Sequence, residues 1–382
     1  MGQAQTRETM FDGIRGWAAV MVLVGHLCSL LEKGFSRPCC PFPFHDALLA
    51  VEVFFVLSGV VLSLGYFKTG SFKPVTALAV KRIPRLAIPI FFSVLFVIVL
   101  MKCGLMFNAE ATAVLGGNKY YGTPYSFDAR WSDLIRFPFF DVFFRYRAFN
   151  AALGGGYNTV LWTMPIEFLG SYLVVFVLFI ATFVRKRWLF VLLGIPVVAI
   201  AYFMGGTHLL AFLVGIFFAY IFTRHDSLIA RIRGSVPSQI LLFLVLAGVG
   251  VVYLAFKEHA RWGWPIRSLV ASLGVAAIVL NPWLKWFTET RLSVFLGKIS
   301  FPLYLTHFPI LCSFSSFLIC RSWYSASFCP SLVVWLLSLA VSLLVAVLFL
   351  PVETLSVRLS AKIWHIITRF RQTPKPEDCH DK

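Results

Sequence analysis

The sequence predicts an all-α fold, a polytopic transmembrane bundle of about ten helices. The first observation behind this prediction is composition: of the 382 residues, 59% are hydrophobic and 13% are charged. Ordinary soluble domains carry about 25% charged residues. The second observation is that apolar segments of roughly 18 to 25 residues recur, each long enough to cross about 30 Å of hydrocarbon as a helix. A soluble domain could not bury this much apolar surface, so we expect a membrane-embedded chain.

Ten apolar segments are candidate membrane spans. They cover 12–31, 46–67, 84–106, 160–184, 188–204, 208–223, 238–256, 264–281, 299–319 and 329–351. Together they predict one membrane-embedded domain over residues 1–371. The tail at 372–382 combines prolines with acidic residues, which predicts a disordered cytoplasmic segment.

Basic residues are concentrated in every second loop, after the second, fourth, sixth and eighth spans. One example is the run Arg185-Lys186-Arg187, which follows the fourth span. By the positive-inside rule these loops face the cytoplasm, and both termini are then cytoplasmic. Membrane topology therefore explains the formal net charge of +17, and no nucleic acid partner is expected.

Two segments outside the spans are apolar enough to contact a membrane. The long outer loop at 107–159 contains a phenylalanine-rich stretch at 137–144, which is typical of an interfacial or re-entrant helix. Residues 352–371 mix apolar and basic side chains at helical spacing, which predicts a helix on the anionic inner leaflet. The eight cysteines have no metal-ligand spacing, and a disulfide between Cys320 and Cys329 is one open alternative.

The first candidate site residues are Arg15 and His26, which are eleven residues apart in the first span. That separation is three helical turns plus roughly 20°, so both side chains lie on one face, about 16 Å apart along the axis. Titratable groups at such depth face a bundle interior or a watery cavity. His26 is either a histidine hydrogen-bonded to a neighbouring helix or a general base, because neutral imidazole accepts a proton at physiological pH.

A second candidate is Glu52, an acid among apolar residues at the outer end of the second span. Water or an arginine could satisfy this carboxylate, or it could orient His26 and balance its charge. Six residues further on, Ser58-Gly59 could serve close helix packing or catalysis.

The third candidate is the basic segment at 81–86, which precedes the third span. Arg82 and Arg85 would share a face if helical, although Pro84 favours a helix start at that point. They are either ordinary topology determinants or a pair of guanidiniums suited to the phosphates of an anionic donor.

The fourth candidate comprises two polar groups within apolar spans, each beside a proline. Glu167 follows Pro165 in the fourth span, and His307 precedes Pro309 in the ninth. Such placement favours a cavity over a lipid-facing surface. No Walker loop, zinc-ligand spacing, GxSxG elbow or HExxH motif occurs, so the sequence does not support an ATPase, a zincin or an α/β-hydrolase.

Taken in order, these stretches resemble the acyltransferase-3 family of integral membrane O-acyltransferases. The matching segments are DGIRG (12–16) with His26, EVFFVLSG (52–59), RIPRL (82–86), LWTMPIEF (161–168) and ISFPLYLTHFPI (299–310). Thr163 stands where the family usually has serine, and Phe301 where it usually has tyrosine. Neither departure removes a titratable group.

The resemblance implies a ten-helix domain that moves an acyl group, commonly acetyl, from cytoplasmic acyl-coenzyme A to a hydroxyl of an acceptor. In the family this acceptor is often a cell-surface polysaccharide or a lipid-linked glycan. The expected location is the cytoplasmic (inner) membrane. Expected partners are acyl-CoA, the carbohydrate or glycolipid acceptor, membrane lipids and polysaccharide-assembly proteins, with no metal.

The roles that follow from the resemblance are hypotheses for this chain. Arg15, Arg82 and Arg85 would hold the phosphates of coenzyme A, and His26 would act as base or as a covalent acyl carrier. Glu52 would orient His26, whereas the acceptor side would be lined by Glu167, His307, Trp162 and Tyr304.

The alternative function is a proton-coupled transporter or a flippase of a glycan precursor, in which the same polar residues form a path. The usual sequence sign of a transporter site is a pair of interrupted spans at corresponding positions in two halves of the chain, and this sequence shows no such pair.

Overall fold

The computed structural model describes residues 2–31, 43–116, 119–153, 156–183, 207–259, 262–323 and 328–370. These residues form helices and connecting turns without a β-strand, which confirms the all-α prediction. The α-helices in chain order are α1 (Gly2–Leu30), α2 (Ala47–Thr69), α3 (Lys73–Lys102), α4 (Asn108–Val114), α5 (Lys119–Gly122), α6 (Asp133–Arg136), α7 (Val142–Phe144), α8 (Tyr146–Leu153), α9 (Met164–Phe183), α10 (Thr207–Arg224), α11 (Asp226–Gly234), α12 (Val236–Phe256), α13 (Gly263–Leu280), α14 (Pro282–Thr288), α15 (Arg291–Ile310), α16 (Ser316–Leu318), α17 (Phe328–Leu348) and α18 (Leu350–Phe370). A 3₁₀ turn covers Thr159–Thr163, and π-helical turns cover Phe137–Asp141, Leu311–Ser315 and Ile319–Trp323.

Eight helices in the described ranges are long and apolar enough to cross a membrane, which confirms a polytopic helical bundle. A ninth span results if α10 and α11, which meet at an angle of 87°, are counted as one broken span. The predicted span at 188–204, the basic run at 185–187 and the tail at 372–382 lie outside the described residues.

The third span begins earlier than predicted. Helix α3 starts at Lys73 with a proline in its first turn, and it runs through Pro84 and Pro89 without a break. The expected helix start at Pro84 is therefore wrong, because Pro74 already occupies the favourable first-turn position. As a result Arg82 and Arg85 lie inside a membrane-length helix and not ahead of one.

The last two helices join into one apolar helix over Ser331–Arg369. Its second part, α18, covers the segment predicted to lie on the inner leaflet, and it packs along α3. The rings of Phe96 and Phe349 meet at 6.1 Å in this contact. The predicted helix is present, and its packing brings α18 to the edge of the cavity described below.

Glycines allow the helices at the centre of the bundle to approach closely. A Cβ on Gly16 would lie 2.5 Å from the backbone nitrogen of Gly297, so α1 and α15 touch backbone to backbone. Likewise a Cβ on Gly59 would lie 2.2 Å from the carbonyl oxygen of Phe212, where α2 crosses α10. Gly59 therefore serves close helix packing, one of the two roles predicted for the Ser58-Gly59 pair.

Contacts along the helices define two ends of the bundle. Helices α1 and α15 are parallel, since Gly16 meets Gly297 and, further along, His26 meets His307. Gly25 lies against Ala47, so α2 begins where α1 ends and runs back. We call the end where α1 starts the N-terminal face, and the opposite end, where α2, α9, α10 and α13 start, the loop face.

The segment between α3 and α9 lies at the loop face. Phe137 is buried, whereas Phe139, Phe140 and Phe144 are exposed. Such exposed rings are what the predicted interfacial segment requires. The same segment reaches the end of α1, where the Tyr121 hydroxyl donates to the carbonyl oxygen of His26 at 2.6 Å.

The cysteines do not follow the alternative considered above. Cys320 is a free thiol, so a disulfide between Cys320 and Cys329 is wrong. Cys28, near the end of α1, is disulfide-bonded.

Candidate active site

The most distinctive polar contact in the bundle joins two histidines of parallel helices. His26 Nδ1 lies 2.9 Å from His307 Nε2, and the two rings are nearly parallel with centroids 5.1 Å apart. His307 is fully buried, whereas His26 keeps a small accessible surface. The close crossing of α1 and α15 at Gly16 is what brings these side chains together.

The hydrogen bonds of this pair determine its tautomers. His307 Nδ1 lies 2.9 Å from the carbonyl oxygen of Leu303. A carbonyl only accepts, so the proton of neutral His307 is on Nδ1 and its Nε2 is an acceptor. His26 Nδ1 must then donate to that acceptor, which leaves the lone pair of His26 on Nε2. The arrangement therefore makes His26 Nε2 a positioned base, and His307 orients it.

A cavity of about 160 Å³ lies between α1, α2, α3, α9, α15 and α18. Arg15, Arg82 and Arg85 line it, together with Glu167 and Glu353.

One of the three arginines is held by a carboxylate. Arg82 forms an ion pair with Glu167 Oε1, which also accepts a hydrogen bond from Ser58 Oγ at 2.6 Å. The Nε atom of Arg82 is nevertheless buried without a hydrogen-bond partner. A buried donor in this state costs about 1–3 kcal/mol, which an incoming acceptor such as a phosphate oxygen would recover.

The other two arginines have no carboxylate within ion-pair distance in the part of the chain that the structure describes. Arg15 and Arg85 nevertheless line the same cavity as Glu353 of α18, whose Oε2 is buried without a hydrogen bond. The cavity therefore combines guanidiniums that lack a close counter-ion with one carboxylate that lacks a donor.

Tyr304 connects the cavity with the histidine pair. Its hydroxyl shares a hydrogen bond of 2.7 Å with Thr163 Oγ1 and donates to the Val160 carbonyl at 2.8 Å. Its ring lines the cavity and lies 6.0 Å from the ring of His307. The histidine pair thus begins about one helical turn beyond the inner wall of the cavity.

A second polar cluster lies nearer the loop face. Glu52 is fully buried, and its two oxygens have separate partners. Oε1 is hydrogen-bonded to His208 Nδ1, and Oε2 accepts from Ser268 Oγ at 2.5 Å. A carboxylate that accepts from Nδ1 holds neutral imidazole in the tautomer with its lone pair on Nε2.

Two tryptophans pack beside this histidine. The ring of Trp264 is 4.5 Å from that of His208, and Trp162 is 5.8 Å from it. The two indoles are themselves 6.0 Å apart at 62°. We call Glu52, Trp162, His208, Trp264 and Ser268 the loop-face cluster.

A family model described as an acyltransferase domain matches residues 9–350 of this chain. The chain belongs to the acyltransferase-3 family. It is a membrane acyltransferase, and all the site residues predicted from sequence lie inside the matched range. No curated protein and no solved structure is significantly similar to it.

For this acyltransferase, the structure regroups the predicted site residues. Glu52 was expected to orient His26, but its hydrogen bonds go to His208 and Ser268, and His307 takes the place beside His26. Glu167 was expected on the acceptor side, but it lies in the arginine cavity as the partner of Arg82.

The remaining predicted residues are distributed between the two polar sites. Arg15, Arg82 and Arg85 line one cavity, as expected for residues that act together. Tyr304 forms the inner wall of that cavity, whereas Trp162 belongs to the loop-face cluster.

Sequence reasoning missed four residues of these sites. His208 and Ser268 lie at the borders of spans, where a polar side chain is ordinary, and Trp264 resembles an interfacial anchor. Glu353 follows the last span in a segment that mixes charges and apolar residues. Only the packing of α18 against α3 brings Glu353 to the arginines.

Two tyrosines at the loop face hold the segment before α9. Tyr146 donates to the Thr159 carbonyl at 3.1 Å, and burial raises its pKa to about 12. Tyr157 donates to Asp133 Oδ2 at 2.8 Å, and burial raises its pKa further above the ordinary range. Both phenols therefore stay protonated at physiological pH and keep these hydrogen bonds.

Proposed function

We propose that this acyltransferase moves an acetyl group from acetyl-coenzyme A to a hydroxyl of a surface polysaccharide or a lipid-linked glycan. The observation that carries the proposal is the geometry around Tyr304. A cavity with three arginines ends at this residue, and a base oriented by His307 begins one helical turn beyond it.

The arginine cavity supports an anionic, thread-like donor. Arg15 and Arg85 would bind the phosphates of coenzyme A, and the unpartnered Nε of Arg82 would contribute a further donor. Guanidiniums suit phosphate because their paired N–H groups match two of its oxygens. The cavity would take the thin arm of the donor, while its nucleotide would stay at the mouth.

His26 Nε2 would accept the proton of the acceptor hydroxyl as that oxygen attacks the thioester carbon. A carbon–oxygen bond forms, the carbon–sulfur bond breaks, and the proton passes from Nε2 to the departing sulfur. A positioned base typically contributes about 10²–10⁴-fold to such a step. His307 would hold His26 in the reactive tautomer through the 2.9 Å hydrogen bond.

The two faces of the bundle would serve different substrates. If the basic loops are cytoplasmic, the N-terminal face meets cytoplasmic acetyl-CoA, and the loop face meets the acceptor outside. This orientation agrees with an inner-membrane location and with polysaccharide-assembly proteins as partners on the outer side.

The first test follows coenzyme A release from acetyl-CoA by purified protein in lipid nanodiscs, with a panel of methyl glycosides and lipid-linked oligosaccharides as acceptors. We expect release that depends on acceptor and falls about 10²–10⁴-fold in His26→Ala. The control is His365→Ala, since His365 is an exposed histidine of α18 away from the cavity.

Either of two results would contradict this function. Release could be independent of every acceptor, or a well-folded His26→Ala protein could retain full activity. Glycan flux that depends on an ion gradient and consumes no acetyl-CoA would instead support the transporter or flippase.

A second test addresses the donor site. Arg85→Ala removes a cavity guanidinium, whereas Arg291→Ala removes an exposed arginine at the same end of the bundle. A hydrogen bond to a charged group contributes about 1.5–3 kcal/mol, so the KM for acetyl-CoA should rise about tenfold or more in Arg85→Ala alone. An equal rise in both variants would point to general surface attraction and against a phosphate site.

A further inference from the structure

The loop-face cluster has no part in the chemistry assigned to His26, yet it is built like a binding site. The carboxylate of Glu52 is buried and has both oxygens engaged, by His208 Nδ1 and by Ser268 Oγ. Burying a carboxylate is costly unless it is paired in this way. The pairing holds the proton of neutral His208 on Nδ1. The other ring nitrogen, Nε2, is then a fixed acceptor that faces away from the buried acid.

The indoles beside His208 supply the complementary donors. Trp162 and Trp264 are both only partly buried, and their rings meet at 62° to form a corner with the imidazole. Within the described ranges neither indole N–H has a hydrogen-bond partner, and neither indole nitrogen is fully buried. Each N–H therefore remains accessible to a ligand hydroxyl.

The cation beside the corner already lies between two carboxylates. Arg267 lies 5.5 Å over the Trp264 ring, and its guanidinium is 3.8 Å from both Asp46 and Glu258. The corner thus presents aromatic faces, two indole N–H donors and the outward Nε2 of His208. Binding sites commonly orient a ligand in this way, through a few polar groups on an apolar wall.

The cluster also lies next to the reaction centre. Phe55 lines the arginine cavity on one side and faces His208 on the other, with ring centroids 5.6 Å apart. Trp162 is followed directly by Thr163, whose hydroxyl is hydrogen-bonded to Tyr304. One layer of side chains therefore separates the cluster from the inner wall of the cavity.

We infer that the loop-face cluster is the acceptor subsite, and that it binds a neutral sugar ring by stacking on Trp162 and Trp264 with a ring hydroxyl donating to His208 Nε2. A pyranose has an apolar C–H face as well as hydroxyl donors and acceptors, which matches this combination. The inference rests on the proposed function for its place in the reaction. The binding of the sugar can be tested without that reaction.

The test measures binding of the methyl glycoside panel to the protein in nanodiscs by saturation-transfer NMR, with no acetyl-CoA present. Three conservative variants are compared with wild type: Trp162→Phe, Trp264→Phe and Glu52→Gln. A glutamine at position 52 no longer fixes the tautomer of His208, because its amide can either donate to or accept from His208 Nδ1 while the Ser268 hydroxyl takes the complementary role. The imidazole can then carry its proton on Nε2, where it no longer accepts a hydrogen bond. We expect glycoside affinity to fall about 5- to 10-fold in each variant, as for one lost hydrogen bond.

Trp262→Phe is the matched control, since Trp262 is an exposed tryptophan of the same loop. An interfacial anchoring role would affect Trp262→Phe as much as the cluster variants, and this result would overturn the inference. Unchanged affinity in all three cluster variants would also overturn the inference. So would binding of tetramethylammonium and of no glycoside, because that result would identify a cation site. Melting temperatures of all variants guard against a folding defect.

A kinetic arm separates this inference from the proposed function. In acceptor-dependent turnover, the cluster variants should raise the KM for the acceptor and leave the KM for acetyl-CoA within twofold of wild type. If the cluster variants lose glycoside binding while wild type does not turn over acetyl-CoA, the sugar subsite stands and acetyl-CoA as the donor is refuted. If acetyl-CoA is turned over but the cluster variants keep the wild-type KM for the acceptor, acetyl-CoA as the donor stands and the sugar subsite is refuted.

Discussion

The role of His307 provides the sharpest test of the mechanism. In His307→Leu, the His26 Nδ1–H loses its acceptor at 2.9 Å, while the packing volume is roughly retained. A buried donor without a partner costs about 1–3 kcal/mol. The imidazole avoids this cost by moving its proton to Nε2, where it can no longer act as a base. If the barrier rises by the same amount, kcat should fall about 5- to 160-fold, at about 1.36 kcal/mol per tenfold.

His307→Gln is the matched variant, because the amide oxygen of glutamine can accept from His26 Nδ1 in place of Nε2. Coenzyme A release from acetyl-CoA is measured for both variants with the acceptor that wild type uses best. We expect the glutamine variant to retain most of the activity that the leucine variant loses, with both KM values little changed. Equal activity in the two variants, whether high or low, would refute the tautomer argument, provided that both proteins melt like wild type.

Three further predictions concern packing, the donor cavity and the loop face. Gly59→Ala puts a methyl group 2.2 Å from the Phe212 carbonyl and should lower the free energy of unfolding by about 1–3 kcal/mol. Gly248→Ala, which meets nothing within 4 Å, should leave it unchanged or raise it by about 0.5–1 kcal/mol, and thermal melts distinguish the two. Glu353→Gln removes a carboxylate that faces the cavity arginines and should lower the KM for acetyl-CoA several-fold, whereas an increase would indicate that Glu353 positions Arg15 or Arg85. Tyr146 has a pKa of about 12 when folded against 10.0 when unfolded, so stability should fall as pH rises between these values, because the unfolded state loses the proton first. Tyr146→Phe should weaken that fall in alkaline melts, and an unchanged slope would contradict the burial argument.

The sequence by itself determined the membrane class, the helical fold and most of the spans. Apolar length and the scarcity of charge decide these features, because hydrocarbon admits only backbones whose hydrogen bonds are satisfied internally. The sequence predicted helix boundaries less accurately. Pro84 suggested a helix start, but α3 already begins beside Pro74, ten residues earlier. Both prolines suit the first turn of a helix, and the local sequence does not show which of them begins it.

The sequence also identified His26, His307 and the cavity arginines, since titratable groups within apolar spans stand out by their cost. The sequence did not determine which of these side chains contact each other. Only tertiary structure decided that His307 is the partner of His26, that Glu52 belongs to His208, and that Glu353 reaches the arginines. These pairings depend on helix crossings such as that at Gly16 and Gly297, which brings together His26 and His307, 281 positions apart. Spacing along one helix specifies a face, whereas the partner on that face is set by the packing of the whole bundle.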